Sequence, residues 1–288
     1  MDFKIGKIAK NEFPPGLQET PNCPDSLFVL GAPLVREDLY LAVVGSRAHT
    51  SYGADVCDKL IRGLAGSGIV IVSGLALGID SVAHRSALKA GLKTVAFPGS
   101  GLSERVIYPA TNLSLAKEIL AAGGTLVSEY PPEAKSYSYF FAERNRLMAG
   151  IARAVLVIEA TDKSGTLITA HLALDYNREV LSVPGPITSP NSLGANLLIK
   201  QGAKVITRSE DILEVFGLKQ EKLFDEREHA LINLTSEEQT IYDALIEPLP
   251  RDSIFAGCEL AAHQVNAILT SLELKGLIKE EYGEVRRI

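Results

Sequence analysis

The sequence predicts an α/β chain: an extended Rossmann-like, doubly wound, mostly parallel sheet, followed by a small winged-helix-like C-terminal domain. Three observations carry that expectation. Short, continuous apolar runs recur along the chain, as strands covered on both faces require. Each run stops at a turn rich in glycine or proline, and most turns open into a segment of helical periodicity. After Phe216-Gly217 this alternation ends and a different order of elements begins.

The first clear unit is Leu41-Ala-Val-Val-Gly45-Ser46-Arg47, an apolar run that ends at a glycine turn carrying a cation. Cys57, Leu60, Ile61 and Leu64 then fall at helical spacing, so the unit reads strand, turn, helix. Ile69-Val70-Ile71-Val72 is the next strand, and Ser73-Gly74-Leu75-Ala76-Leu77-Gly78-Ile79-Asp80 leads into a helix with Ala83 and Ala87 on one face. Thr94-Val95-Ala96-Phe97, Thr125-Leu126-Val127-Ser128 and Ala154-Val155-Leu156-Val157-Ile158 follow, with helical segments between them. Val180-Leu181-Ser182-Val183 and Val205-Ile206 bring the count to about seven strands, with right-handed crossovers expected. Residues 1–38 hold Pro14, Pro15, Pro21, Pro24 and Pro33 and read as an extended lead-in packing on the main domain. The Rossmann-like domain is expected over 39–217 and a charged linker over 218–234. A winged-helix-like domain follows over 235–288: Thr235 and Glu238 have capping-box spacing, Val265, Ile268, Leu269 and Leu272 share a helix face, and a hairpin turns at Gly283.

Composition narrows the function classes. The 288 residues are 46% hydrophobic and 22% charged, an ordinary globular balance. A net charge of −6 restricts any nucleic-acid site to a local patch. Cys23, Cys57 and Cys258 lie far apart with no CxxC, which fits a reducing compartment and neither a disulfide framework nor a zinc site. With no long apolar run and no secretory leader, the chain reads as cytoplasmic, with no membrane partner. GxGxxG and GxxxxGK[ST] are both missing, so no nucleotide cofactor is expected.

The loops suit a single strand of nucleic acid. Such a chain needs cations and N–H groups along a groove and flat side chains on which bases stack. Arg47, Arg144, Arg146 and Lys163 supply charge on segments expected to converge at one edge of the sheet, and Gly45, Gly74 and Gly165 allow close approach to the backbone. Phe141 is the expected stacking residue, with Phe140 and Tyr139 as alternatives. Core packing competes for one of the phenylalanines, and a brace to Glu129 or Glu159 competes for one arginine. The rival class is a nucleotide-binding enzyme related to phosphoribohydrolases of the PGGxGTxxE type. Lys163-Ser164-Gly165-Thr166 matches the phosphate-binding half of that motif, but Thr169 stands where the motif has its glutamate.

Gly45-Ser46-Arg47, Ser73 to Asp80 with Ala83-His84, Tyr108-Pro109, Ser128-Glu129-Tyr130-Pro131, Arg144-Asn145-Arg146, Lys163 to Ala170 and Val183-Pro184-Gly185 together resemble the DNA-processing protein A (DprA/Smf) family. The match is ordered and runs from about Pro14 to Phe216. The resemblance implies a homodimer that binds single-stranded DNA, protects incoming strands and loads the RecA recombinase in natural transformation. It implies no catalytic residue and no metal. The nucleic-acid-binding set expected is Gly45, Ser46, Arg47, Gly74, Phe141, Arg144, Asn145, Arg146, Lys163, Ser164, Gly165 and Thr166. Three features depart from the family pattern: a small N-terminal helical domain is expected to be missing, Glu143 stands where many members are basic, and Leu77 where some carry a cation.

Overall fold

The structure is a computed structural model that describes residues 4–218, 234–245, 248–257, 260–281 and 283–287. It divides into two compact units, Met1–Gln220 and Glu221–Ile288. The linker reading over 218–234 falls, apart from its two end residues, outside the described residues, as do Cys258 and Glu259.

The first unit is built on nine strands: β1 (Gly6–Ala9), β2 (Ser26–Gly31), β3 (Leu39–Val44), β4 (Ile69–Ser73), β5 (Thr94–Ala96), β6 (Thr125–Ser128), β7 (Ala154–Val157), β8 (Glu179–Ser182) and β9 (Lys204–Val205). Their order in the sheet is β1-β2-β6-β5-β4-β3-β7-β8-β9. From β6 to β9 every pairing is parallel. The count of about seven strands is therefore corrected to nine. The two additions lie in the segment read as an extended lead-in, which also holds the short helix α1 (Pro15–Gln18). They pair antiparallel, β2 on β6 and β1 on β2, and so extend the sheet itself.

The remaining helices are α2 (Ser51–Arg62), α3 (Ile79–Lys89), α4 (Leu113–Ala121), α5 (Ser138–Ile151), α6 (Gly165–Asp175), α7 (Leu193–Lys200) and α8 (Ser209–Val215). Two-residue alternation along each strand splits the core into layers. On β3, Tyr40, Ala42 and Val44 pack with Leu147 and Met148 of α5 and with Ala170 of α6. Leu41 and Val43 point the other way, toward Cys57, Leu60 and Ile61 of α2 and Ala83 of α3. A strand buried on both sides favours apolar residues, and its few polar ones, such as Thr94 and Ser182, donate to backbone carbonyls, so the central strands read as mainly apolar runs.

In the second unit, α9 (Ser236–Ala244), α10 (Arg251–Gly257) and α11 (Ala262–Leu274) accompany a small sheet of β10 (Leu249–Pro250), β11 (Ile278–Glu281) and β12 (Glu284–Arg287). This is the winged-helix order. The capping box forms as its spacing predicts: Glu238 N donates to Thr235 Oγ1 at 3.2 Å, and Thr235 N donates to Glu238 Oε2 at 2.8 Å. Lys275 also donates to Glu238, and this ammonium holds the carboxyl down to about 2. Ile241, Val265, Ile268, Leu269, Leu272 and Val285 make a separate small core. Among the described residues, no helix is long and apolar enough to cross a membrane, and no group of His, Cys, Asp or Glu is placed to hold a metal ion.

Candidate nucleic-acid interface

The strand order reverses at β3. From it the chain runs outward through β4 and β5 to β6 on one side, then returns to lay β7, β8 and β9 on the other. In a doubly wound sheet the loops leaving the two strands at such a point diverge and open a crevice at their C-terminal ends. A cleft of about 480 Å³ lies there. The loop after β3 supplies Gly45, Ser46 and Arg47, the N-cap and first turn of α6 supply Ser164, Gly165 and Thr166, and α5 supplies Ser138, Phe141, Arg144 and Asn145.

The β3 loop is fixed before any ligand arrives. Glu159, at the end of β7 and only 1% exposed, accepts from Thr50 N at 2.9 Å and from Thr50 Oγ1 at 2.5 Å, so it ties the two diverging loops together. Thr50 is also the N-cap of α2, its hydroxyl accepting from Gly53 N. Asn191 donates to Ala48 O, and Ile79 N donates to Ser46 O. At Gly45 a Cβ would press on Ile79, so a larger residue would push α3 away from the loop. Arg47 projects from this braced loop, exposed, with its guanidinium 5.1 Å from the centre of the Phe141 ring. Phe141 lies between Arg47 and the exposed Tyr108, whose ring is 5.5 Å away and tilted by 51°. Ser164, also in the lining, caps α6 by accepting from Thr166 N at 3.1 Å, and so places the helix N-terminus and its partial positive charge at the cleft.

The floor holds a buried charge cluster. Arg144 is 4% exposed and its guanidinium donates to Phe97 O. Asp80, 7% exposed, accepts from Gly74 N at 3.1 Å and Ala76 N at 3.3 Å. These bonds hold the turn in which Leu75 takes a positive φ of 57°. Burial pushes the Asp80 carboxyl up, against the pull of Arg144, and pushes the Arg144 guanidinium down to about 10. His84, also buried, is neutral: burial pushes it down to about 3, and its Nδ1 meets Thr94 Oγ1 at 2.7 Å.

Not every expected residue reaches the cleft. Gly74 does not offer open backbone, because a Cβ there would collide with the Arg144 guanidinium. Arg146 points elsewhere and pairs with Glu129 at 2.5 Å, so of the two arginines flanking Asn145 it makes the expected carboxylate brace. Glu159, the other carboxylate considered for that brace, serves Thr50 instead. Lys163 is exposed beside Ser164 but outside the lining. Phe140 is the core phenylalanine, stacked on Tyr130 at 3.5 Å. Glu143 accepts from Tyr130 Oη at 2.9 Å, and Leu77 is exposed. Asp80, Ser138 and Thr169 line the cleft without having been expected there. Asp80 is the second residue of α3, directly after the glycine-rich turn, but its sequence position alone does not tell a buried carboxylate that holds the turn from an exposed one.

The family model for DNA recombination-mediator protein A matches residues 4–217, and the model for the DprA winged helix domain matches residues 225–284. Protein Smf of Escherichia coli is 46% identical over 213 residues, 73% of this chain and 56% of that protein. The DNA processing protein DprA of Streptococcus pneumoniae is 41% identical over 74% of each chain. The X-ray structure of that pneumococcal protein superposes with a TM-score of 0.69 at 39% identity, covering 73% of this chain and 74% of its own. DNA processing protein A from Helicobacter pylori, whose structure is described as showing a single-stranded DNA binding mode, superposes with a TM-score of 0.67 at 30% identity, over 75% of this chain and 96% of its own.

Proposed function

The chain belongs to the DNA recombination-mediator protein A family, and on that premise we propose that it binds single-stranded DNA in the cleft at the sheet's switch point and loads RecA onto it during natural transformation. The observation that carries the reading is the wall formed by Arg47 and Phe141: an exposed guanidinium and a half-buried ring, 5.1 Å apart, beside a capped helix N-terminus. This is the pairing a single strand needs, a cation and donors for the phosphate and a flat face for the base. The same features would bind a duplex poorly, because paired bases have their edges joined to one another and their flat faces covered by the neighbouring base pairs of the stack. The Helicobacter pylori relative, aligned over nearly its whole length, supports the reading.

The site is read as one that binds and does not catalyse. Thr169 is 1% exposed and supplies no carboxylate, and Asp80 is occupied by two backbone N–H groups. Titration of purified protein with a single strand, a duplex of equal length and AMP is expected to show clear preference for the single strand. Equal affinity for duplex would sink the reading, and release of adenine from AMP would favour the phosphoribohydrolase alternative. RecA loading is tested separately, as faster RecA filament growth on a single strand when this protein is present. Cytoplasmic location belongs to the same proposal, since that is where such strands meet RecA.

The proposal includes a homodimer through the Rossmann-like unit. β9 is a terminal strand of the sheet, Val205 on it is exposed, and Leu193 and Leu197 lie exposed one turn apart on α7. An open edge beside apolar side chains suits a second copy. Light scattering on residues 1–217 should report a dimer. A monomer there, with a dimer only for the full chain, would move the contact to the winged-helix unit.

A further inference from the structure

The start of α5 carries a run of aromatic residues, and the cleft uses only part of it. Ser138 and Phe141 line the cleft, while Tyr137 and Tyr139, on either side of Ser138, do not. Both tyrosines are well exposed, at 57% and 56%. Their rings nonetheless lie in a fixed arrangement. They stack on each other with centroids 5.9 Å apart and 20° between planes. Each also meets the edge of the buried Phe140, at 5.3 Å for Tyr137 and 4.8 Å for Tyr139. Phe140 is itself held by the stacked Tyr130 ring behind it.

We propose that Tyr137 and Tyr139 form a second base-stacking platform, which takes bases of the same single strand where it leaves the cleft over the start of α5. The inference rests on the cleft being the single-strand site. Continuity favours this occupant: one residue, Ser138, separates the two exposed tyrosines and lines the cleft, so they stand at the cleft's border along α5. The chemistry agrees. A preordered aromatic face loses little freedom when a base stacks on it, and every base offers such a face. The exposed Lys135 stands two residues before Tyr137, within the same segment, for a backbone phosphate. A tyrosine phenol keeps the platform wetted when empty, which explains how so much aromatic surface stays exposed without burying itself.

The test compares the full chain with its Tyr137→Ala/Tyr139→Ala and Tyr137→Phe/Tyr139→Phe variants, using oligothymidylates of two lengths: one short enough to fill the cleft alone, the other several times longer. The platform predicts that wild type gains affinity with length, that the alanine variant keeps the short-oligomer affinity, and that it loses about fivefold or more per ring on the long one. The phenylalanine variant should retain the long-oligomer affinity, because stacking needs the ring and not the hydroxyl. The sequence has no tryptophan, so emission comes from its nine tyrosines. Quenching should therefore be stronger with the long oligomer, and the added quenching should vanish in the phenylalanine variant. Unchanged long-oligomer affinity in the alanine variant overturns the platform and leaves the cleft reading standing. A change of oligomeric state without a change in DNA affinity overturns it too, and assigns the tyrosines to a protein contact. If wild type binds neither oligomer, both readings fall.

Discussion

Replacing Arg144 with methionine is expected to destabilise the Rossmann-like unit by about 3 kcal/mol, the low end of what removing one charge from a buried cluster costs. The guanidinium is 4% exposed, donates to Phe97 O and fills the space over Gly74, so methionine replaces its bulk but leaves that carbonyl without its donor. It also leaves Asp80 buried with less compensation. Burial already pushes the Asp80 carboxyl up, and losing Arg144 pushes it further. A carboxyl whose folded pKa is raised favours the fold when protonated, and that contribution is lost as pH rises through the folded value. The penalty of Arg144→Met should therefore be larger at pH 8 than at pH 5. Adding Asp80→Asn should recover part of it, as interaction energy in a double-mutant cycle. Amide exchange in β3, β4 and β5 of the full chain measures all three variants. A loss confined to DNA affinity, with exchange unchanged, would mean that Arg144 acts as a ligand contact and not as the floor of the cleft.

That distinction was out of reach of the sequence, and the reason is geometric. Arg144 and Arg146 are two residues apart on a helix, where side chains two positions apart point to nearly opposite sides. One guanidinium enters the floor beside Gly74, and the other turns away to Glu129. Which goes where depends on the helix's rotation against the sheet, and the low amphipathicity of Ser138–Ile151, with charges between phenylalanines, leaves that rotation unspecified. The parallel strands, by contrast, announce themselves, because burial on both faces leaves an apolar run such as Ile69 to Val72. Strand β1 gives no such signal, and β2, although Leu27 to Leu30 form an apolar run, is followed by a loop holding Pro33 and not by the helix that marks the other units. Gly6, Lys7 and Ala9 are exposed on an edge strand, and prolines crowd the segment around them. The cleft was legible where loop chemistry alone decides it, at Gly45 to Arg47 and at Ser164 to Thr166. It was not legible where tertiary packing decides, as at Asp80 and Gly74.

Arg47→Ala is expected to weaken binding to every single strand alike, because a backbone contact carries no base information. Arg47 is the exposed cation of the cleft lining, so its removal should flatten the slope of log affinity against log salt by about 0.7, the contribution of one neutralised phosphate on a single strand. Its ring partner Phe141 would remain, and stacking alone is nearly indifferent to salt, so residual binding should persist at high ionic strength. The winged-helix unit is not expected to supply the missing charge. Arg251 pairs with Glu280 at 2.6 Å, Lys275 with Glu238 at 2.7 Å, and Arg287 lies 4.2 Å from the Tyr242 ring centre while donating to Tyr242 O. Cations engaged within their own unit release few counterions from DNA. Deleting residues 218–288 should therefore leave affinity within a few-fold of the full chain, with the Arg47→Ala effect on the salt slope intact in the truncated protein. Abolished binding on deletion, together with an unchanged slope in Arg47→Ala, would place the site in the winged helix and not in the switch-point cleft.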